Sequence, residues 1–445
     1  MTKNWKKIQL SEIIKISHGW AFKGKHFSEE TNEDLPIVVS IGNFRYDGGF
    51  RFEQTKIKRY VGTYPEEYEL SPGDILLIMT CQTAGGEILG VPGKVPDNNN
   101  TYLHNQRLGK VVNKKPREVS NEYLYWLFLS HSFNNHLYST STGTKILHTS
   151  PSKIESFNFS LPPLEEQKRI AHVLGTLDDK IELNRQMNQT LEEMAQAIFK
   201  SWFVDFDGQD EFVESELGPI PKGWQVLPVS KVVKSVGGST PSTKKPEYWD
   251  DGDINWTTPK DLSSAEAPIL LETSRKITQA GVDSISSGLL PVGTLLMSSR
   301  APVGYLAITA IPTAINQGYI AMLPGGKLSS LYLLHWAKFN MDVIKSRAGG
   351  TTFAEISKRN FRPIPVIVPD QKTLASFEKT AEPIFQKIQL NLEQSRTLTE
   401  LRDTLLPKLI SGELRVPEAL EVAEDAVGDE VSGDQSVSQL GLPFS

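Results

Sequence analysis

Cysteine is almost missing from this chain, since Cys81 is the only one among 445 residues. That excludes a disulfide framework and any zinc site built on cysteine pairs. No apolar run approaches the ~20 residues that a membrane span needs. The opening MTKNWKKIQL has no apolar signal core behind its lysines, so a soluble cytoplasmic protein without membrane association is expected. Phosphate-cradling loops of the form G-x-G-x-x-G or G-x-x-x-x-G-K-[ST] are lacking. Six of the eight histidines (His18, His26, His104, His131, His136 and His148) lie in the first 160 residues, yet none has the spacing of a metal site. Pro369-Asp370-Gln371-Lys372 resembles a nuclease site only superficially, because no second carboxylate stands beside the lysine to share a metal. No catalytic residue, no metal ligand and no cofactor bound by this chain are therefore expected.

What the chain does have is itself, twice. Trp5–Lys15 (WKKIQLSEIIK) matches Trp224–Lys234 (WQVLPVSKVVK) 219 positions later. Asn105-Gln106 returns as Asn316-Gln317, and Gly143-Thr144 as Gly350-Thr351. From there the offset holds at 207, so Lys180-Ile181-Glu182-Leu183-Asn184 pairs with Lys387-Ile388-Gln389-Leu390-Asn391. Each copy has a globular front of mixed α/β character, with short β-branched runs such as Ile37-Val38-Val39 broken by Gly and Pro. Each front should also hold a helix, at about Asn121–Tyr138 and Ser330–Lys345, with Ser120 and Ser329 placed to cap them.

The back of each copy is helical. Positions 170, 174, 177, 181, 184, 188, 191, 195, 198 and 202 alternate steps of four and three, and the same seam recurs 207 residues on. Sustained over four heptads, that spacing is a coiled-coil seam. Asn184 and Asn391 occupy the same heptad position, where a buried Asn fixes register at some cost in stability. Pro383 should kink the second helix or restart it. The two seams are expected to pair with each other, antiparallel, as a rod about 50 Å long at ~1.5 Å per residue. The expected order is a first front (1–160), a spacer helix (161–204), an acidic linker (205–222), a second front (223–369), a second spacer helix (370–416) and a disordered acidic tail (417–445).

Net charge is −6, an average over unlike segments. The tail holds −7 and the linker −5, whereas the first front carries +3 and the second +5. Basic fronts on a near-neutral rod suit two heads meeting a polyanion. Asn105, Gln106 and Arg107, with Asn316 and Gln317, carry the side chains that pair bidentately with adenine or guanine edges. The alternative for the two Asn-Gln pairs is that they tie a loop to its own backbone. Arg300 follows an apolar strand and precedes a glycine turn, a place from which to enter a groove. Lys56, Lys58 and Arg59 form a basic run beside Tyr60 suited to phosphates, and Lys145, Arg347, Lys244 and Lys245 are further loop candidates.

These segments carry a family likeness. Leu161-Pro162-Pro163-Leu164-Glu165-Glu166-Gln167-Lys168-Arg169-Ile170, followed by Leu177-Asp178-Asp179-Lys180-Ile181 and Asn184, resembles the central conserved region of type I restriction–modification system specificity (S) subunits. Gly237-Gly238-Ser239-Thr240-Pro241, Tyr248-Trp249 and Ile254–Leu262 are similar to the opening of a target-recognition domain in that family. Leu406–Leu414 is similar to its C-terminal conserved segment. The first front departs from the pattern, with Ser17-His18-Gly19-Trp20 where the second has its Gly-Gly-Ser-Thr-Pro opening.

The resemblance implies two target-recognition domains, each gripping half of a split double-stranded DNA site, with the spacer helices setting the distance. It further implies two methyltransferase subunits carrying S-adenosylmethionine and adenine-N6 chemistry, and restriction/translocase subunits using ATP and Mg. The competing reading is a coiled-coil adaptor with two protein-binding heads, and a metal-dependent nuclease is the third.

Overall fold

A computed structural model describes residues 5–28, 34–52, 57–83, 85–263, 265–350 and 354–428. The chain forms two compact units, Met1–Lys180 with Thr397–Ser445, and Ile181–Arg396. The first unit is built from two separate pieces of sequence, and two long helices, α1 (Leu164–Phe203) and α2 (Gln371–Ser411), each contribute to both units. Among the described residues, no helix is long and apolar enough to cross a membrane.

In the first unit, Ile14–His18, Leu108–Asn113, Ile75–Ile78 and Pro92–Lys94 form a sheet in that order. In the second, Ser235–Gly237, Tyr319–Met322, Leu295–Ser298 and Leu306–Thr309 repeat the order, and Ile269–Leu270 is added at the edge. All these neighbours are antiparallel except Ile269–Leu270, which lies parallel to Leu306–Thr309. The central strands Ile75–Ile78 and Leu295–Ser298 are buried along their whole length, which explains why they read as continuous rather than alternating apolar runs. A second sheet in each unit contains the parallel pair that leads to the Asn-Gln turn, Ile37–Val39 with Tyr102–His104 and Ile254–Thr257 with Ala314–Ile315.

The capping serines behave as the sequence predicts. The Ser120 hydroxyl accepts from the Tyr123 amide at 3.4 Å, and Ser329 accepts from Tyr332 at 3.3 Å. Each expected helix nevertheless breaks in two, into Asn121–Leu129 and His131–Thr140, and into Ser330–Phe339 and Met341–Ser346. At the first break Ser130 is extended and caps the following helix through Phe133, so one side chain ends one helix and starts the next.

The helix seams pair antiparallel within each unit. In the first, Ile170, Leu174 and Leu177 of α1 and Leu398, Leu405 and Leu409 of α2 are buried, and Arg402 donates to Asp178 at 2.7 Å while only 3% exposed. In the second, Nδ2 of Asn184 reaches Oε1 of Gln394 at 2.9 Å and Oγ of Ser395 at 3.1 Å, and Nδ2 of Asn391 reaches Oδ1 of Asn188 at 2.8 Å. Moving up α1 therefore means moving down α2. Toward its end α1 serves a globular core and not only a helix, so burial passes from the expected Ile198 and Trp202 to Phe199 and Phe203, which pack with Phe377, Ala381 and Tyr332.

Several expectations need correction. The second helix is continuous through Pro383, which is exposed, so the Lys379 carbonyl left without its partner amide is on the solvent side. The acidic linker contains a hairpin, Phe212–Ser215 with Gly218–Pro221, whose Ile220 enters the core of the second unit. Gly218 supplies the positive φ of 91° that the turn requires. The tail is helical from Val416 to Gly428, because Val416, Ala419 and Ala423 place a buried stripe at helical spacing that the many carboxylates mask. Residues 429–445 lie outside the described residues.

Arg402→Ala should lower the unfolding free energy by about 3 kcal/mol, because it strands Asp178 beside a buried seam. Arg402→Met combined with Asp178→Asn should recover most of that loss in urea titrations. A double variant as unstable as Arg402→Ala would show that the ion pair is not the origin of the effect.

Candidate nucleic-acid interface

The repeated Asn-Gln pair sits in the same backbone frame in both units. In the first, the Trp20 amide donates to the His104 carbonyl at 2.9 Å, and the Gln106 amide donates back to Trp20 at 3.0 Å. In the second, the Ser239 amide donates to the Ile315 carbonyl at 3.1 Å. The preceding residues, Gly19 and Gly238, press against the backbone carbonyls of Asn105 and of Ile315 and Asn316, where any Cβ would collide. The sequence held this signal: at the 219-residue offset Gly19 falls on Gly238, although the surrounding residues differ.

Both asparagines turn inward. Oδ1 of Asn105 accepts from the Arg107 amide at 3.0 Å, and Oδ1 of Asn316 accepts from the Gly318 amide at 2.8 Å. Their first task is thus to hold the turn, in line with the loop-tying alternative. The turns are also locked to the neighbouring strands, by Met79 N to Arg107 O at 3.1 Å and by Ser299 N to Gly318 O at 2.8 Å. Beneath the first turn His104 is buried, with Nε2 2.9 Å from the Leu108 carbonyl, and burial lowers its pKa from 6.5 to about 4. It is neutral at pH 7 and structural.

The frame leaves different side chains outside. Gln106 and Arg107 are exposed in the first unit, whereas Gln317 is exposed and Gly318 stands at the arginine position in the second. A groove of about 900 Å³ brings Lys58, Asn105, Gln106 and Arg107 together with Phe22, Phe44 and the exposed Tyr46. Such a set can hydrogen-bond base edges, pack a thymine methyl and neutralise a phosphate. In the second unit Gln317 accepts from the Thr240 hydroxyl at 2.7 Å. Arg300 follows Ser299, whose amide bonds the carbonyl of Gly318, the residue after Asn316 and Gln317.

The neighbouring position shows the same frame carrying different chemistry. Thr149 N donates to Met79 O at 3.0 Å, and Ile356 N donates to Ser299 O at 2.9 Å. Beside these bonds Thr80 meets His148 at 3.1 Å in the first unit, and Arg300 meets Glu355 at 3.8 Å in the second.

The remaining candidates are scattered. Arg59 is buried, 7% exposed, and its guanidinium donates to the Leu35 carbonyl at 2.6 Å, so it holds a loop and is not presented to phosphate. Lys145 is exposed on the turn closed by Thr142 and His148, and Arg347 is exposed with its carbonyl accepting from Asn360. Lys244 is exposed, while Lys245 lies 4.9 Å over the Tyr248 ring and donates to its hydroxyl. Lys56 lies outside the described residues. Sequence reasoning missed Arg275, which stacks 3.8 Å from the Trp249 ring centroid and 5.2 Å from that of Trp256. Two tryptophans around one cation are legible in the sequence only once the strand register is known.

No group of three or more His, Cys, Asp or Glu side chains that could hold a metal occurs among the described residues. Asp370 is a helix cap: it accepts from the Thr373 amide and hydroxyl and from the Trp224 indole. Gly19→Ala or Gly238→Ala should cost about 1–3 kcal/mol by overpacking and displace the adjoining Asn-Gln turn. Amide exchange at Gln106 or Ser239 would report that displacement, and unchanged protection in both variants would contradict the close-packed frame.

The family model for the type I restriction modification DNA specificity domain matches residues 2–193 and 221–394, one match per copy. The HindI specificity subunit of Haemophilus influenzae is 27% identical over 369 residues, covering 68% of this chain and 80% of its own. The MjaIX specificity subunit of Methanocaldococcus jannaschii is 36% identical over 206 residues, 43% of this chain and 48% of that one, so that match spans about half the relative. The solved S subunit of a type I restriction–modification system from M. genitalium shares the fold with a TM-score of 0.54 at 14% identity, covering 92% of this chain and 96% of that one. With the family matched over most of its length in two successive copies, this chain belongs to the type I restriction–modification DNA specificity family.

Proposed function

We propose that this chain is the non-catalytic reading subunit of a type I restriction–modification complex, with each unit reading half of a split double-stranded DNA site. The observation that carries the reading is the duplicated turn: one hydrogen-bonded frame, fixed by Gly19 and Gly238, that presents Gln106 or Gln317 in each copy and adds the exposed Arg107 only in the first, where the second has Gly318. A scaffold that keeps its backbone while changing its surface is what two different half-sites demand. Arg107 in the first unit and Arg300 in the second are the strongest base-reading candidates, with Lys58 a phosphate contact. The paired helices set which spacing between halves is accepted, and the polar layer of Asn184 and Asn391 fixes their register.

In this reading the reaction belongs to partners. Two methyltransferase subunits bring S-adenosylmethionine for adenine-N6 methylation, and restriction subunits bring ATP and Mg. This chain supplies position and sequence choice. The adaptor reading is weaker, because protein-docking heads would not need Asn, Gln and Arg side chains gathered around one groove.

Band shifts with the chain and its methyltransferase partners test the proposal. Binding should weaken steeply between 50 and 200 mM salt, and Arg300→Ala should cost ~1–3 kcal/mol at one base position only. Absent or salt-insensitive binding would leave the adaptor reading standing in its place.

A further inference from the structure

The second unit contains an open groove of about 900 Å³ lined by Lys231, Lys234, Lys327, Lys358 and Arg362, with no carboxylate on its walls. These cations come from three separate stretches of chain, the helix Val229–Val232 with Lys234 just beyond it, the turn at Gly325–Lys327, and the helix Lys358–Phe361 with its C-cap. All five are exposed, and among the described residues none of the four lysines forms an ion pair. Arg362 is held in place, with Nε 3.1 Å from the Ser235 hydroxyl and an Nη 2.7 Å from the Ser235 carbonyl.

The fold does not require this charge. At the 219-residue offset Lys231 falls on Glu12, and at the 207-residue offset Lys358 falls on Pro151 and Arg362 on Glu155. Glu155 does the same structural work as Arg362, accepting from the Ile16 amide at 2.7 Å, where Ile16 is the counterpart of Ser235. Lys327 N donates to Val232 O at 2.7 Å, and Lys114 N donates to the equivalent Ile13 O at 2.8 Å. Lys234 and Lys327 fall on Lys15 and Lys114, so one backbone carries five cations in the second copy and two lysines balanced by two carboxylates in the first. The groove also leads to the Asn316-Gln317 turn: Lys358 lies against Gly237, and Gly238 lies against Asn316.

We infer that this groove binds the phosphate backbone of duplex DNA, an anchoring site that only the second unit possesses. The inference rests on the DNA-reading proposal. Four separate lysine point charges beside exposed glycine backbone suit a line of phosphates. A protein partner's anchor would need an aromatic or deep apolar pocket, and no aromatic side chain lines the groove. The second unit grips any sequence through these cations, and both turns choose among sequences.

The test uses the full chain with its methyltransferase subunits and a variant carrying Lys231→Gln, Lys234→Gln, Lys327→Gln and Lys358→Gln. Arg362 is left alone because it braces Ser235. The slope of log affinity against log salt should become shallower by about 3–4, and affinity at ~0.1 M salt should fall ~10- to 100-fold on cognate and unrelated duplexes alike. Lys358→Gln alone should shift the slope by about 1. An unchanged slope in a variant that melts like the parent overturns the groove assignment while leaving the DNA reading intact. A parent complex that binds no DNA overturns the DNA reading itself. Unaltered DNA binding with lost subunit association would make the groove a protein-docking site and also overturn the assignment.

Discussion

Neither long helix can exist alone in water, because each exposes an apolar seam along its length, and everything else in the chain follows from their pairing. Each compact unit takes part of α1 and part of α2. The core of the second unit closes only when Phe199 and Phe203 of α1 meet Phe377 and Ala381 of α2 over Tyr332 and Trp224. Duplication therefore produced two fronts that are completed by the same helix pair, not two independent domains on a string. Buried polar groups choose among possible alignments of that pair. Arg402 finds Asp178, and Asn184 finds Gln394 and Ser395, only in one register. Ion pairs and amides of this kind add little net stability and penalise every shifted alignment.

The repeat separates what the fold needs from what the surface does. Backbone bonds from Trp20, Met79 and Thr149 in one copy recur as bonds from Ser239, Ser299 and Ile356 in the other. Side chains beside those bonds change character: Thr80 with His148 becomes Arg300 with Glu355, and Glu155 becomes Arg362. A shared frame with divergent edges matches a molecule that reads two unlike targets. The net charge of −6 hides this, since acidic segments outside the fronts cancel the cations gathered at them.

Much of this architecture was legible in the sequence. The heptad seams, the Asn184 and Asn391 layer and the caps at Ser120 and Ser329 rest on local periodicity or hydrogen bonding within one turn, and local rules suffice for them. Pro383 misled because the cost of a proline depends on which side of the helix it occupies, and exposure is a tertiary fact. The linker hairpin and the helix from Val416 were hidden by carboxylates, whose abundance says nothing about the spacing of the few apolar residues between them. Arg59 illustrates the limit at the site: a basic run in sequence does not reveal which cation turns inward to bond Leu35. The clustering of Lys58 with Asn105–Arg107, and of Lys231 with Lys327 and Lys358, depends on strand order and could not be read from spacing.

If each unit reads one of two separated half-sites for partner methyltransferases, the pattern of methylation must show it. Sequencing the methylated bases in cells that express this chain with its methyltransferase tests it most directly. Modified adenines are expected in a motif of two specified halves separated by a fixed number of unspecified base pairs, one adenine in each half. A single continuous motif, halves at variable spacing, or no methylation dependent on this chain would contradict it.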